Sequence, residues 1–358
     1  MDAALNQLCE RVRAASAART PLRIRAGGTK DFYGNSVQGE LFDPRSVAGI
    51  VDYEPTELVV TARAGTTLTE LEQLLADNGQ MLAFEPPHFG PGATVGGCVA
   101  AGLSGPRRVS FGPTYGGVRD FVLGARLIDG RGELLSFGGT VMKNVAGYDV
   151  SRLLAGSMGI LGVIAEVSLK VLPRPITHHT LTFEMSAEAA VDKLNEWAGQ
   201  PLPLSASAWL EGVLYLRVAG AVAAVSAAKR ELGGDSFENS KADAFWQSIR
   251  EQTHPFFAGD LPLWRVAVPS TAAALPIQCR QLIEWGGALR WLRTDQGVQQ
   301  VRELATKADG HAMLFRRGDR SQGVFTPLAP TLATIHRRLK AQFDPAGIFN
   351  PGRMYLDL

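Results

Sequence analysis

A chain of 358 residues has room for two cores, and its 46% hydrophobic and 20% charged content is that of an ordinary folded globular protein. Its 36 basic and 35 acidic residues leave a net charge of +1, which removes any electrostatic case for a nucleic acid or another polyanionic partner. Cys9, Cys98 and Cys279 are isolated and odd in number, so they form neither a disulfide framework nor a zinc or iron–sulfur cluster motif, and they fit a reducing cytoplasm.

Residues 1–25 read as an amphipathic helix running into a strand. No basic segment followed by an apolar one marks an export signal, and no stretch approaches the roughly 18 apolar residues that a bilayer span needs. Strand Leu22–Arg25 leads into Ala26-Gly27-Gly28-Thr29-Lys30, where consecutive small residues can gather N–H groups into one concavity beside the Thr29 hydroxyl; a plain turn is the alternative. Glu57–Ala64 reads as a buried strand. Thr67-Leu68-Thr69-Glu70 is a capping box opening a helix with Leu71, Leu74 and Leu75 on one stripe and Gly79 at its stop.

Between Gly90 and Gly162 lie 18 of the 39 glycines, set among apolar, strand-forming residues and not in a flexible linker. Glycine inside ordered structure costs roughly 0.5–1 kcal/mol relative to alanine, so such density points to something that approaches the backbone closely, or to a β fold rich in tight turns. Pro91–Gly102 is nearly all small residues, a surface for a flat ring or a pyrophosphate. Gly138–Asp149 is a third such element. Val163, Ala165, Val167, Leu169 and Val171 then alternate with Glu166, Ser168 and Lys170, the pattern of a half-exposed strand.

Pro173 and Pro175 follow that strand and mark a boundary. Downstream, one topology is written twice. Strand Thr180–Glu184, helix Ala187–Ala198, strands Ala206–Leu210 and Val213–Val218 and helix Ala221–Leu232 follow the ferredoxin-like β-α-β-β-α-β order. Leu263–Val268, a short helix near Thr271–Leu275, strands around Gly286-Gly287, helix Gln299–Ala308 and strand His311–Arg316 repeat it. The expected product is an antiparallel sheet with helices on one face. A short tail, Phe343–Leu358, packs back on another surface.

Gly90-Pro91-Gly92 and Gly130-Arg131-Gly132 both lack the third glycine of a Rossmann fingerprint, and no Walker A sequence or His-Glu-x-x-His motif occurs. Any phosphate must be held by another loop geometry. The three small-residue elements, in this order, resemble the FAD-binding domain of the vanillyl-alcohol-oxidase/p-cresol-methylhydroxylase (PCMH) type of flavoprotein. Phe343-Asp344-Pro345-Ala346-Gly347-Ile348-Phe349-Asn350-Pro351-Gly352-Arg353-Met354 resembles the closing motif of its 2-hydroxy-acid branch. Glu85-Pro86-Pro87-His88-Phe89-Gly90, Val141–Asp149 and Trp285–Leu292 resemble the FAD-binding subunits of bacterial glycolate oxidases (glycolate dehydrogenases).

The resemblance implies an α+β fold: a two-subdomain PCMH-type FAD-binding domain over 1–173, a ferredoxin-like cap over 174–342, and a tail, 343–358, returning to the flavin domain. It implies that Ala26, Gly27, Gly28 and Thr29 form the pyrophosphate loop. Gly92, Thr94, Gly96 and Gly97 would line the dinucleotide with Gly102, Ser104 and Gly105 nearby, and Gly159, Gly162, Val163 and Ile164 would hold the adenine and ribose side. FAD is expected to be noncovalent, because no histidine lies in the loop and His88 lies outside it. His178 and His179 read as surface. Lys143 and Arg107 could offset phosphate or flavin charge or simply be solvated. Tyr148 could pack beside the cofactor or in the core, and Trp285 and Trp291 could serve an interface or a core.

Catalytic relatives in the branch carry a histidine-bearing Gly-Asp-Gly-Asn-type motif. Here Asp309-Gly310-His311-Ala312-Met313 and Arg316-Arg317-Gly318-Asp319 do not reproduce it, and His311 is either a base or a strand-start residue, so no catalytic residue is assigned. The expected function is an FAD-binding subunit of a glycolate-oxidising complex. Its partners would be a homologous flavin subunit that carries the substrate chemistry and an iron–sulfur subunit. It would be cytoplasmic, reaching the inner membrane only through the complex. A self-sufficient FAD-dependent D-2-hydroxy-acid dehydrogenase and a non-catalytic scaffold are the alternatives.

Overall fold

The computed structural model describes residues 3–108, 116–140 and 148–358. Helix Ala3–Ala18 repeats apolar residues at helical spacing and buries Leu5, Leu8, Cys9, Val12 and Ala15 against Leu22, Phe42, Val163, Ile348 and Phe349. Strand Leu22–Ile24 pairs in parallel with Glu40–Phe42, and Phe349 bridges onto Leu22 from the far end of the chain. The strands Ile50–Glu54, Val59–Arg63, Val163–Lys170, Val122–Ile128 and Leu134–Gly138 form an antiparallel sheet in that spatial order.

The strand expected to be half-exposed is its centre and is buried on both faces. Val163 and Ala165 enter one core and Ile164, Val167 and Leu169 the other, while Ser168 is satisfied by Thr61 Oγ1 at 2.8 Å. Alternation misleads here because a central strand needs no solvent face once its hydroxyls find partners.

Of the expected capping box the N-cap half forms: Glu70 N–H donates to Thr67 Oγ1 at 3.1 Å, with no return bond from the Glu70 carboxylate among the described residues, and helix Leu68–Asp77 buries Leu68, Leu71 and Leu75. Thr94 caps helix Val95–Ala101 in the same way (3.2 Å to the Gly97 N–H), and Gly102, at φ +65°, ends it.

The two downstream repeats join edge to edge into one eight-stranded sheet, ordered Asp235–Phe237, Thr177–Glu184, Val213–Gly220, Leu204–Leu210, Arg280–Glu284, Leu289–Arg293, Leu263–Ala267, His311–Arg316. The junction is the antiparallel pairing of Leu204–Leu210 with Arg280–Glu284. Helices Ala187–Ala198, Val222–Leu232 and Val298–Lys307 cover one face. The other face packs on helix Asn239–Arg250 and on Tyr33, Ala101, Leu103 and Met158 of the N-terminal half.

No helix forms at Thr271–Leu275. The carbonyls of Ala272 and Ala273, which a helix would use, accept hydrogen bonds from the buried Arg290 guanidinium instead. Trp285 and Trp291 are each only 4% exposed, so neither is surface material. Helix Pro330–Phe343 lays Leu339 and Phe343 on the N-terminal core, and its Lys340 Nζ donates to Ile160 O (2.8 Å), Phe349 O (2.7 Å) and Asp344 Oδ2 (2.7 Å), fixing the start of the tail.

Candidate functional site

A two-lobed cleft runs along the N-terminal half where strand Leu22–Ile24, helix Val95–Ala101 and the segment 158–164 meet. One lobe is walled by Ala26, Gly27, Gly28, Thr29, Lys30 and Arg353, the other by Pro44, Ala64, Gly96, Gly159, Gly162, Val163 and Ile164. Ile24, Ala26, Thr94, Gly97, Ala100, Met158 and Asn350 line both. Eleven of the fifteen residues expected at a dinucleotide are therefore brought to one surface.

The glycines are there for closeness. A Cβ on Gly27 would stand 1.5 Å from Gly92 O, and one on Gly96 would stand 2.6 Å from the Ala64 Cβ. Gly92 thus backs the loop and does not line the cleft. The N–H groups of Ala26, Gly27, Gly28, Thr29 and Lys30 take no acceptor among the described residues. Five uncommitted donors on one half-buried loop that lines the cleft could be turned to an anion. The start of helix Val95–Ala101 offers no such donors: Val95 N–H goes to Thr66 O, Gly96 N–H to Ala64 O and Gly97 N–H to Thr94 Oγ1. The 26–30 loop could therefore hold a pyrophosphate, and the second lobe, where Ala64, Gly96, Gly159 and Gly162 stand beside Val163 and Ile164, could hold a nucleoside.

Two lining residues come from the tail. Asn350 Oδ1 accepts from Ile24 N–H (2.8 Å) and its Nδ2 donates to Met158 O (2.8 Å), tying the two walls together. The Arg353 guanidinium donates to the carbonyls of Lys30 (3.1 Å), Asp31 (3.3 Å) and Asn35 (3.0 Å), holding the outside of the loop. Sequence reading missed both as site residues; the Phe349–Arg353 motif was the available signal.

Gly102, Ser104 and Gly105 lie elsewhere. Gly102 packs on Gly156, while Ser104 and Gly105 line a smaller cavity between the two sheets. His88 does not face the cleft; its Nε2 lies 2.9 Å from Glu72 Oε2. His178 and His179 contact Asp243 and Ser236 near the surface. Tyr148 is 96% exposed, so it does not pack in a core. Lys143 lies outside the described residues.

Arg107 is buried and not solvated. Its N–H and Nε donate to Glu85 (2.9 and 3.2 Å), and Arg217 of the eight-stranded sheet binds both oxygens of the same carboxylate at 2.9 Å. Burial alone would raise the Glu85 carboxyl, but Arg217 and Arg107 outweigh it and hold it at about 2. Nearby Glu284, 4% exposed, accepts from Trp291 Nε1 at 2.7 Å. Burial pushes its carboxyl up to about 7 against the opposing pull of Trp291 and Arg265.

A family profile described as FAD binding domain matches residues 3–151. The glycolate oxidase subunit GlcE of Escherichia coli (strain K12) is 49% identical over 98% of this chain and 97% of its own length. A D-lactate dehydrogenase of Anaerostipes hadrus is 35% identical over 45% of this chain, and the glycolate oxidase subunit GlcD of Bacillus subtilis (strain 168) is 31% identical over 37%; these matches span 31% and 27% of those longer proteins. An alkyldihydroxyacetonephosphate synthase structure shares the fold, with TM-score 0.66, 15% identity, and coverage of 96% of this chain and 75% of that one. A near-full-length match at this identity, together with the FAD-binding profile, means that the chain belongs to the FAD-binding flavoprotein family of the GlcE-type glycolate oxidase subunits.

Proposed function

We propose that this chain is the FAD-binding subunit of a multi-subunit complex that oxidises glycolate to glyoxylate, working with a homologous flavin subunit and an iron–sulfur subunit. The row of uncommitted N–H groups from Ala26 to Lys30, set in the two-lobed cleft, is the observation that carries it. In this reading Ala26–Thr29 hold the pyrophosphate, Thr94, Gly96 and Gly97 line the dinucleotide, and Gly159, Gly162, Val163 and Ile164 enclose the adenosine. FAD is noncovalent, in keeping with a His88 engaged by Glu72. When bound, the flavin supplies an acceptor for the electrons of a 2-hydroxy acid.

On this reading residues 1–173 are the flavin unit, 174–342 the cap, whose last helix, Pro330–Phe343, lies against the flavin unit, and 343–358 the returning tail. Among the described residues no helix is long and apolar enough to cross a membrane; contact with the inner membrane would run through the partners. The buried Arg265–Glu284 cavity favours a second reading, a chain that oxidises a D-2-hydroxy acid alone. Dye reduction with glycolate and D-lactate separates the two. Turnover that needs the partner subunits, with flavin and iron counted per subunit, supports the complex, and turnover by the isolated chain supports the second reading.

A further inference from the structure

Three parts of the chain meet at residues 30–35. Lys30, Asp31 and Tyr33 line the nucleotide cleft. Asn35, only 4% exposed, staples the segment to its surroundings. Its Nδ2 donates to Gly352 O of the tail at 2.9 Å, and its Oδ1 accepts from Val324 N–H, beyond strand His311–Arg316 of the eight-stranded sheet, at 3.0 Å. Gly34, at φ +85°, permits the close approach: a Cβ there would stand 2.5 Å from Met158 Cε and 2.9 Å from Arg353 O.

Two guanidiniums take the carbonyls of this segment. Arg320 donates to Gly34 O at 2.7 Å and to Phe32 O at 2.9 Å, while Arg353 takes the carbonyls of Lys30, Asp31 and Asn35. Neither has a carboxylate within 4 Å among the described residues, and the one acid of the segment, Asp31, is already paired with Arg25 at 2.5 Å. Lys30 Nζ likewise ends on neutral oxygens, His88 O at 3.3 Å and Thr29 Oγ1 at 3.5 Å. A carbonyl satisfies the N–H groups of a guanidinium without cancelling its charge, and an arginine keeps its proton inside a protein. Burial lowers the pKa of Lys30, Arg320 and Arg353; at Arg353 Asp31 opposes that effect and the charge of Arg320 adds to it. Three cations without a balancing acid thus adjoin the 26–30 loop, whose N–H groups have no acceptor. Away from bulk water their field reaches well past hydrogen-bond distance.

We infer that Arg320 is a positioning residue that supplies, across residues 30–35 and together with Arg353, counter-charge for the diphosphate of the bound cofactor, so that the half of the chain bearing the eight-stranded sheet takes part in holding it. That the anion is a diphosphate rests on the function proposed above; the unbalanced charge does not.

The test is a titration of the flavin-depleted full-length chain with FAD, read by visible absorbance, and with ADP, read by calorimetry. Arg320→Gln keeps a donor for one carbonyl and removes the charge; it should weaken both ligands by at least about tenfold. Arg320→Lys keeps the charge and should restore most of that loss. Arg338→Gln removes an exposed charge that has no ion pair among the described residues, on helix Pro330–Phe343, and should change neither affinity. Arg353→Gln and Arg353→Lys decide the matter if Arg320→Gln does not fold. FAD binding unchanged in folded Arg320→Gln overturns the inference and leaves the FAD reading intact. Arg320→Lys no better than Arg320→Gln also overturns it, since the side chain then acts only as a carbonyl clamp. ADP binding that depends on Arg320 in a chain that takes up no FAD supports the inference and counts against the FAD reading. A wild-type chain that binds neither ligand overturns both.

Discussion

Gly27 sits where two backbone segments touch, and the 1.5 Å left between its missing Cβ and Gly92 O cannot be regained by rotating any side chain. Gly27→Val should shift the loop that presents the five donors. The expected result is a folded chain, destabilised by about 1–3 kcal/mol, that purifies without visible flavin absorbance. Glu284 has a different signature. Its folded carboxyl titrates at about 7, above the usual 4.5, so the folded state binds more protons than the unfolded state between those values. Stability therefore falls as pH rises from 4.5 to 7, by up to about 3 kcal/mol, as Glu284 loses its proton next to Glu85 and only partly offset by Arg265. Glu284→Gln, which can still accept from Trp291, should flatten the slope of Tm against pH over that window and leave Tm near pH 5 almost unchanged.

At the scale of elements, the tail is a working part of the cleft. Lys340 and Asp344 anchor it, with Asp344 also accepting from Ile348 N–H and Phe349 N–H, so that Asn350 arrives at φ +40° between Ile24 and Met158. Asn350→Ala removes both cross-wall hydrogen bonds, each worth about 0.5–1.5 kcal/mol. FAD affinity measured by fluorescence titration should fall by about tenfold, with the secondary structure seen by circular dichroism retained.

The local signals that sequence carries were legible in such elements: the Thr67 cap, the Ala187–Ala198 helix and the doubled strand order appear as read. The helix near Thr271 was not, because the Arg290 side chain, remote in sequence, claims its carbonyls. Leu332, Ile335, Leu339 and Phe343 do stand at helical spacing, yet nothing local says that this helix lies on the flavin half.

For the molecule as a whole, the two sheets are held in one arrangement by bonds between residues far apart in sequence. Arg217 grips Glu85, Trp285 Nε1 donates to Gly105 O at 3.0 Å, Arg320 donates to the carbonyls of Gly34 and Phe32, and Asn35 Oδ1 accepts from Val324 N–H. This is why the glycine loops were legible and the second cavity was not: Gly27, Gly96 and Gly162 stand out in the sequence as glycines, whereas Gln252, Arg265 and Glu284 come to one cavity only after folding. It is also why Ser104 and Gly105, which the family resemblance put near the dinucleotide, line that second cavity.

The central claim is that the 26–30 loop and its facing glycines hold FAD. Titration of FAD into the flavin-depleted full-length chain, read by visible absorbance, should saturate at about one FAD per chain and be abolished by Gly27→Val combined with Gly96→Val. A well-folded wild-type chain that takes up no FAD would contradict it.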